Sequence, residues 1–144
     1  MTSEPIWWPQ PQAGDILWCL FPEVTQREAA SKPRPVLAIT VFDDEAPQYR
    51  VHAVYGTSQR VNVLYAGEFA ITPNDVRAFE LAGLSYPTKF NFTRSVELPY
   101  DDTWFSVPAG APHGQTPKLG VLHPGLIKKA AVAYEAASVG SSKR

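Results

Sequence analysis

A single cysteine, Cys19, excludes a disulfide within the chain, and its place inside an apolar run reads as a small buried hydrophobe. Charge of either sign is sparse. Thirteen Lys and Arg against 14 Asp and Glu leave a formal net charge of −1, with a pI near 6.3. That excludes nucleic-acid binding driven by net charge alone, while a local basic cluster is compatible with such an average. No apolar stretch approaches the length of a membrane span. Met1 to Trp8 has neither a basic start nor an apolar core, so no signal peptide is expected and the protein reads as soluble and cytoplasmic. The three histidines, His52, His113 and His123, are scattered at spacings that suggest no metal site, and no cofactor is expected. The chain also lacks a Gly-rich phosphate loop, Cys-x-x-Cys, His-Glu-x-x-His and Gly-x-Ser-x-Gly, which removes the best-marked nucleotide, zinc and serine-hydrolase chemistries.

What is present is a series of short β-like segments. At 144 residues the chain is most simply one domain over 14–139, preceded by a Pro/Gln/Trp-rich arm at 1–13 and followed by a frayed tail at 140–144. Trp7 and Trp8 in the arm are expected to pack on the domain or on a partner subunit. The runs Ile16–Phe21 and Val36–Val41 are β-branched and aromatic and are bounded by Gly14, Pro22, Pro33 and Pro35, which marks them as strands. The polar loop Glu23–Lys32 between them is long for a hairpin and is a candidate working surface. Arg34 stands between two prolines, each of which restrains its own φ and disfavours helix in the residue before it. Its side chain therefore rises from a stiff base.

A third strand runs over Tyr49–Tyr55 and ends at Gly56-Thr57-Ser58-Gln59, with Tyr49, Val51, Ala53 and Tyr55 on one face. Arg60–Tyr65 and Gly67–Ile71 read as further short strands. Thr72-Pro-Asn-Asp is a helix-start signal, with Thr72 as N-cap, Val76 and Phe79 facing inward and Gly83 as the stop. In 88–98, Lys89, Asn91, Thr93 and Ser95 alternate with Phe90, Phe92, Arg94 and Val96 as a two-faced strand. The pairs Asp43-Asp44 and Asp101-Asp102 read as solvated turns. Thr103–Val107 reads as a strand and 108–120 as a loop. From His123, which serves as a cap, a helix carries the stripe Leu126, Ile127, Ala130, Ala131, Tyr134 and Ala137. Many short strands with Pro/Gly turns favour a mainly β, strongly bent barrel with a short inserted helix and a C-terminal helix.

Gly14-Asp-Ile-Leu-Trp18, followed after the loop by Pro33-Arg34-Pro35-Val36-Leu37 and then by a strand ending Gly56-Thr57-Ser58, resembles the opening of the MazF/PemK family of type II toxin–antitoxin toxins. The resemblance covers about residues 14–59, with weaker correspondence at 86–98 and 122–137. It implies an SH3-like barrel of the CcdB/MazF type, a homodimer, a small antitoxin partner and metal-independent cleavage of single-stranded RNA by 2′-hydroxyl attack on the adjacent phosphate. Arg34 matches the family arginine, and its guanidinium suits the charge of the transition state. Thr57 matches the family threonine and, with Ser58, would donate hydroxyl hydrogen bonds to the same phosphate. Glu28, Lys32, Gln59, Lys89 and Asn91 are the further RNA-binding candidates.

There are departures from the family pattern. Where some relatives carry Arg-x-Asp on a later strand, alignment on Arg94-Ser95-Val96 places Lys89 and Asn91. Lysine lacks the guanidinium fork, and asparagine takes no proton at neutral pH. The general base is therefore unassigned, with Glu28 falling near the family's loop glutamate. The alternative expectation is an inactive barrel of this fold that binds or inhibits another protein.

Overall fold

The computed structural model describes residues 4–22, 29–30 and 32–142. Its centre is one curled antiparallel sheet of six strands. In chain order these are β1 (Asp15–Cys19), β2 (Arg34–Phe42), β3 (Arg50–Thr57), β4 (Glu68–Ile71), β5 (Thr88–Pro99) and β6 (Lys118–Val121), arranged β4-β5-β3-β2-β1-β6. Helix α1 (Val76–Ala82) is inserted before β5, and a 3-10 turn (Pro124–Leu126) leads into α2 (Ile127–Ser142). The expected mainly β barrel with an inserted and a closing helix is what the chain forms.

Both faces of the sheet are buried, which explains why β1 and β2 read as continuous apolar runs rather than as alternating ones. Ile16, Leu37, Val54 and Phe90 face the helices and pack with Ala78, Ala82, Leu126, Ala130 and Ala133. Leu17, Val36, Ala38, Val51 and Ala53 face the other way, against Phe21, Leu98, Tyr100 and Phe105. The N-terminal arm covers that second face. The Trp8 N–H donates to the Tyr100 carbonyl at 3.1 Å, and its indole packs on the second core with its ring N–H unpartnered.

Several local expectations are corrected. Arg60–Tyr65 is a turn and not a strand; the Arg60 carbonyl accepts the Val63 N–H at 3.1 Å. The cap of α1 is Asp75, whose Oδ1 accepts the Ala78 N–H at 3.2 Å, while Thr72 starts the preceding turn. Asp beats Thr here because Pro73 and Asn74 form that turn before helical geometry begins. Val76 is consequently exposed, and Ala78 and Ala82 are the buried positions. Gly83 does stop the helix at φ 70°, and a Cβ there would stand 1.9 Å from the Leu119 carbonyl oxygen. That close approach pins α1 to β6, which occupies the end of the segment read as loop.

Thr103–Val107 forms no strand; Phe105 makes an isolated bridge to Cys19. Asp101 is no solvated turn residue. It is 4 % exposed, and burial raises its pKa, opposed by the N–H groups of Thr103 and Trp104 and reinforced by Asp102. In the C-terminal helix the buried stripe is Leu126, Ala130, Ala133 and Ala137, so Ile127, Ala131 and Tyr134 lie on an exposed flank. His123 acts as the cap, its Nδ1 accepting the Gly125 N–H at 2.9 Å.

Candidate functional site

β2 begins at Arg34 and β3 ends at Thr57. The two strands pair Val36 with Tyr55, and beyond that last pair Arg34 and Thr57 lie at the strand ends. Both residues line one cleft at the open end of this strand pair. Gly56 lets the strands close there, since a Cβ would meet the Pro35 carbonyl oxygen at 2.3 Å. Arg34 Nη1 donates to the Tyr55 hydroxyl at 2.8 Å and reaches the Gly56 carbonyl at 3.4 Å. Its guanidinium also lies 4.6 Å from the centre of the Tyr55 ring. All these partners are neutral. The Thr57 hydroxyl accepts the Gln59 N–H at 3.1 Å, and its own proton has no acceptor among the described residues.

A second cation arrives from β5 through a break in its pairing. Tyr55 of β3 pairs with Asn91, yet the preceding Val54 pairs with Ser95, so Phe92, Thr93 and Arg94 bulge out between them. An odd insertion exchanges the two faces of a strand. Phe90 therefore packs in the helix-side core, whereas Leu98, an even number of residues later, packs in the other. The uniform alternation expected over 89–96 is corrected accordingly. Within the bulge the Asn91 Oδ1 accepts the Thr93 N–H at 2.9 Å and its hydroxyl at 2.6 Å. Arg94 is carried over the Tyr55 ring, with its guanidinium carbon 3.7 Å from the centroid and 5.9 Å from that of Phe21. Neither Arg34 nor Arg94 forms an ion pair among the described residues.

Arg34 and Thr57 open onto a cleft of about 430 Å³, lined also by Lys32, Ser58, Gln59, Trp18 and Tyr86. Its described lining includes two cations and no carboxylate. The cleft thus brings together Lys32, Arg34, Thr57, Ser58 and Gln59 of the expected set. Lys89 pairs with Thr57 across β3 and β5, but its ammonium turns to Glu68 Oε1 at 3.1 Å and the Val63 carbonyl at 2.9 Å. With side-chain exposures of 6 % and 7 %, Lys89 and Glu68 form a buried pair outside the cleft lining. Asn91 likewise holds the bulge and lies outside the cleft lining. Glu28 lies outside the described residues.

Cys19, opposite Arg34 across β1 and β2, is fully buried, and that burial pushes its thiol up, with the Arg34 charge opposing less strongly. Among the described residues no group of three or more His, Cys, Asp or Glu gathers as a metal site. Reasoning from the sequence overlooked Tyr55 and Arg94 as site residues. The signal that would have found Arg94 is the violation of alternation, since a uniform face would set an arginine in line with Phe90 and Phe92.

No protein-family model matches the chain, and no curated protein matches it. Its fold is similar to a solved structure described as an endoribonuclease in complex with its cognate antitoxin from a mycobacterial species. The match has a TM-score of 0.54 at 18 % identity and covers 90 % of this chain and 95 % of the other.

Proposed function

We propose that this protein is a toxin-type endoribonuclease of the MazF/PemK kind, which cuts single-stranded RNA by attack of a 2′-hydroxyl on the neighbouring phosphate. The observation that carries the reading is the placement of Arg34 and Thr57 together in the lining of one cleft, with the guanidinium held among the described residues by neutral groups. A phosphate seated there would meet a forked cation and a hydroxyl with a free proton, which are the donors that a pentacoordinate, doubly charged transition state requires. Lys32, Ser58 and Gln59 add donors on the rim. Tyr86, 70 % exposed, offers a flat surface for an unstacked base. The resemblance of the Gly14–Trp18, Pro33–Leu37 and Gly56–Ser58 segments to the family supports the same reading, and so does the similarity of the fold to an endoribonuclease bound to its antitoxin. The protein would act without a metal, as a homodimer in the cytoplasm, and a small antitoxin would cover the cleft.

A second reading is an inactive barrel that binds another protein. Lys89 and Asn91, at the positions where some relatives carry catalytic residues, both serve the fold. One experiment separates the two. Purified protein is incubated with a long single-stranded RNA in EDTA, and the ends are mapped. The nuclease yields defined cuts with 5′-hydroxyl and 2′,3′-cyclic phosphate termini, slowed about 10²- to 10³-fold in Arg34→Ala. Intact RNA at high protein excess would transfer the assignment to the binding module.

A further inference from the structure

The cleft has cations and a hydroxyl donor, but a strand cut also needs a proton delivered to the departing 5′-oxygen. An arginine cannot supply it, because guanidinium does not give up its proton in a protein. None of the three histidines lines the cleft: His52 pairs with Ser95 at 2.9 Å, His123 caps the 3-10 turn, and His113 lies in the loop beyond Pro112. The Lys89 ammonium is held by Glu68 and Val63. Tyr55 remains. Its oxygen accepts from Arg34 at 2.8 Å, and its own O–H has no acceptor among the described residues. The same Arg34 nitrogen reaches the carbonyl of Gly56, which lines the cleft, so the phenol stands one hydrogen bond from it. The guanidinium carbon of Arg94 stands over its ring at 3.7 Å, and Phe21 packs edge-on at 5.2 Å, so the ring has two packing partners.

We infer that Tyr55 is the general acid of the proposed cleavage, with Arg34 and Arg94 meeting the charge left on its oxygen. This rests on the nuclease reading above. The 2′-oxygen forms its bond to phosphorus and its proton passes to water. The bond from phosphorus to the 5′-oxygen breaks, and the Tyr55 proton moves to that oxygen. The phenolate, beside one guanidinium and beneath another, then takes a proton back from water. The products are a 2′,3′-cyclic phosphate and a 5′-hydroxyl, with no net proton gained or lost.

The test compares two short single-stranded RNAs that share one cut site mapped with the wild-type protein. One is all-oxygen, and the other has sulfur replacing the bridging 5′-oxygen, whose thiolate leaves without a proton. Tyr55→Phe keeps the ring between Phe21 and Arg94, and thermal melting checks that it folds. The expected result is a loss of about 10²-fold or more on the oxygen substrate, with cleavage of the sulfur substrate within about threefold of wild type. Arg34→Ala should lose on both. An equal loss on both substrates in Tyr55→Phe, or no loss on either, overturns the assignment while leaving the nuclease standing. A wild-type protein that leaves both RNAs intact overturns the nuclease reading itself.

Discussion

Thr57 pairs with Lys89 across β3 and β5 and shares a cleft with Arg34, so two cations stand near one threonine. Lys89 is matched by a buried carboxylate 3.1 Å away and is closed off by Val63 and Tyr65, with Tyr65 5.4 Å from the ammonium. Arg34 is held by a phenol, a carbonyl and a ring face, none of which cancels its charge. A buried ion pair satisfies itself and contributes to the integrity of the fold. A guanidinium fixed by neutral groups keeps its full charge for an anion that arrives later. Two cations that look alike in sequence are thus divided by their nearest carboxylate.

The largest expected effect comes from breaking the buried pair. Lys89→Met leaves Glu68 buried without its cation and should cost about 3–5 kcal/mol in urea unfolding. RNA cleavage per folded molecule should stay within about threefold of wild type. Adding Glu68→Gln removes the stranded charge and should recover most of the lost stability. A variant that stays stable but stops cutting would move Lys89 into the site.

A smaller effect sharpens the other half of the contrast. Arg94→Lys keeps a positive charge in the bulge but loses the guanidinium that stands over Tyr55. Cleavage should fall about tenfold, equivalent to about 1.4 kcal/mol, with the midpoint of unfolding nearly unchanged. An unaltered rate would show that this guanidinium is irrelevant to the reaction.

The smallest effect concerns a buried carboxylate that has N–H donors but, among the described residues, no cation. Asp101 holds its proton more tightly in the folded chain than in the unfolded one. Its favourable contribution is therefore complete below the ordinary carboxylate range and disappears as pH rises through the raised value. Asp101→Asn keeps an oxygen to accept the Thr103 N–H, bonded at 3.0 Å in the wild type, but cannot titrate. As pH falls from neutral, wild-type stability should improve relative to the variant. Parallel stability profiles across that range would contradict the buried-acid assignment.

Much of the fold is legible because local chemistry and final structure agree. Pro33 and Pro35 stiffen the start of β2, Gly83 stops α1, and the apolar runs around Ile16 and Leu37 are strands whichever face is considered. Arg34 and Thr57 can be placed at strand ends for the same reason, since prolines, glycine and a polar run mark the ends. The failures cluster where tertiary contacts outweigh the local pattern. Arg60–Tyr65 is β-like in composition but closes around the Lys89 ammonium as a turn. Lys118–Val121 lies behind a Pro/Gly-rich loop and becomes a strand only because β1 offers it an edge.

The sequence by itself determined the succession of short strands, the two helices and the stiff presentation of Arg34, because proline, glycine and side-chain branching act within a few residues. Only the tertiary structure decided which polar groups face the cleft. The bulge in β5 exchanges that strand's faces, which brings Arg94 onto Tyr55, while Glu68 from β4 neutralises Lys89. Pairing register and the position of a neighbouring carboxylate are properties of two or more strands at once, so no reading of one strand alone contains them.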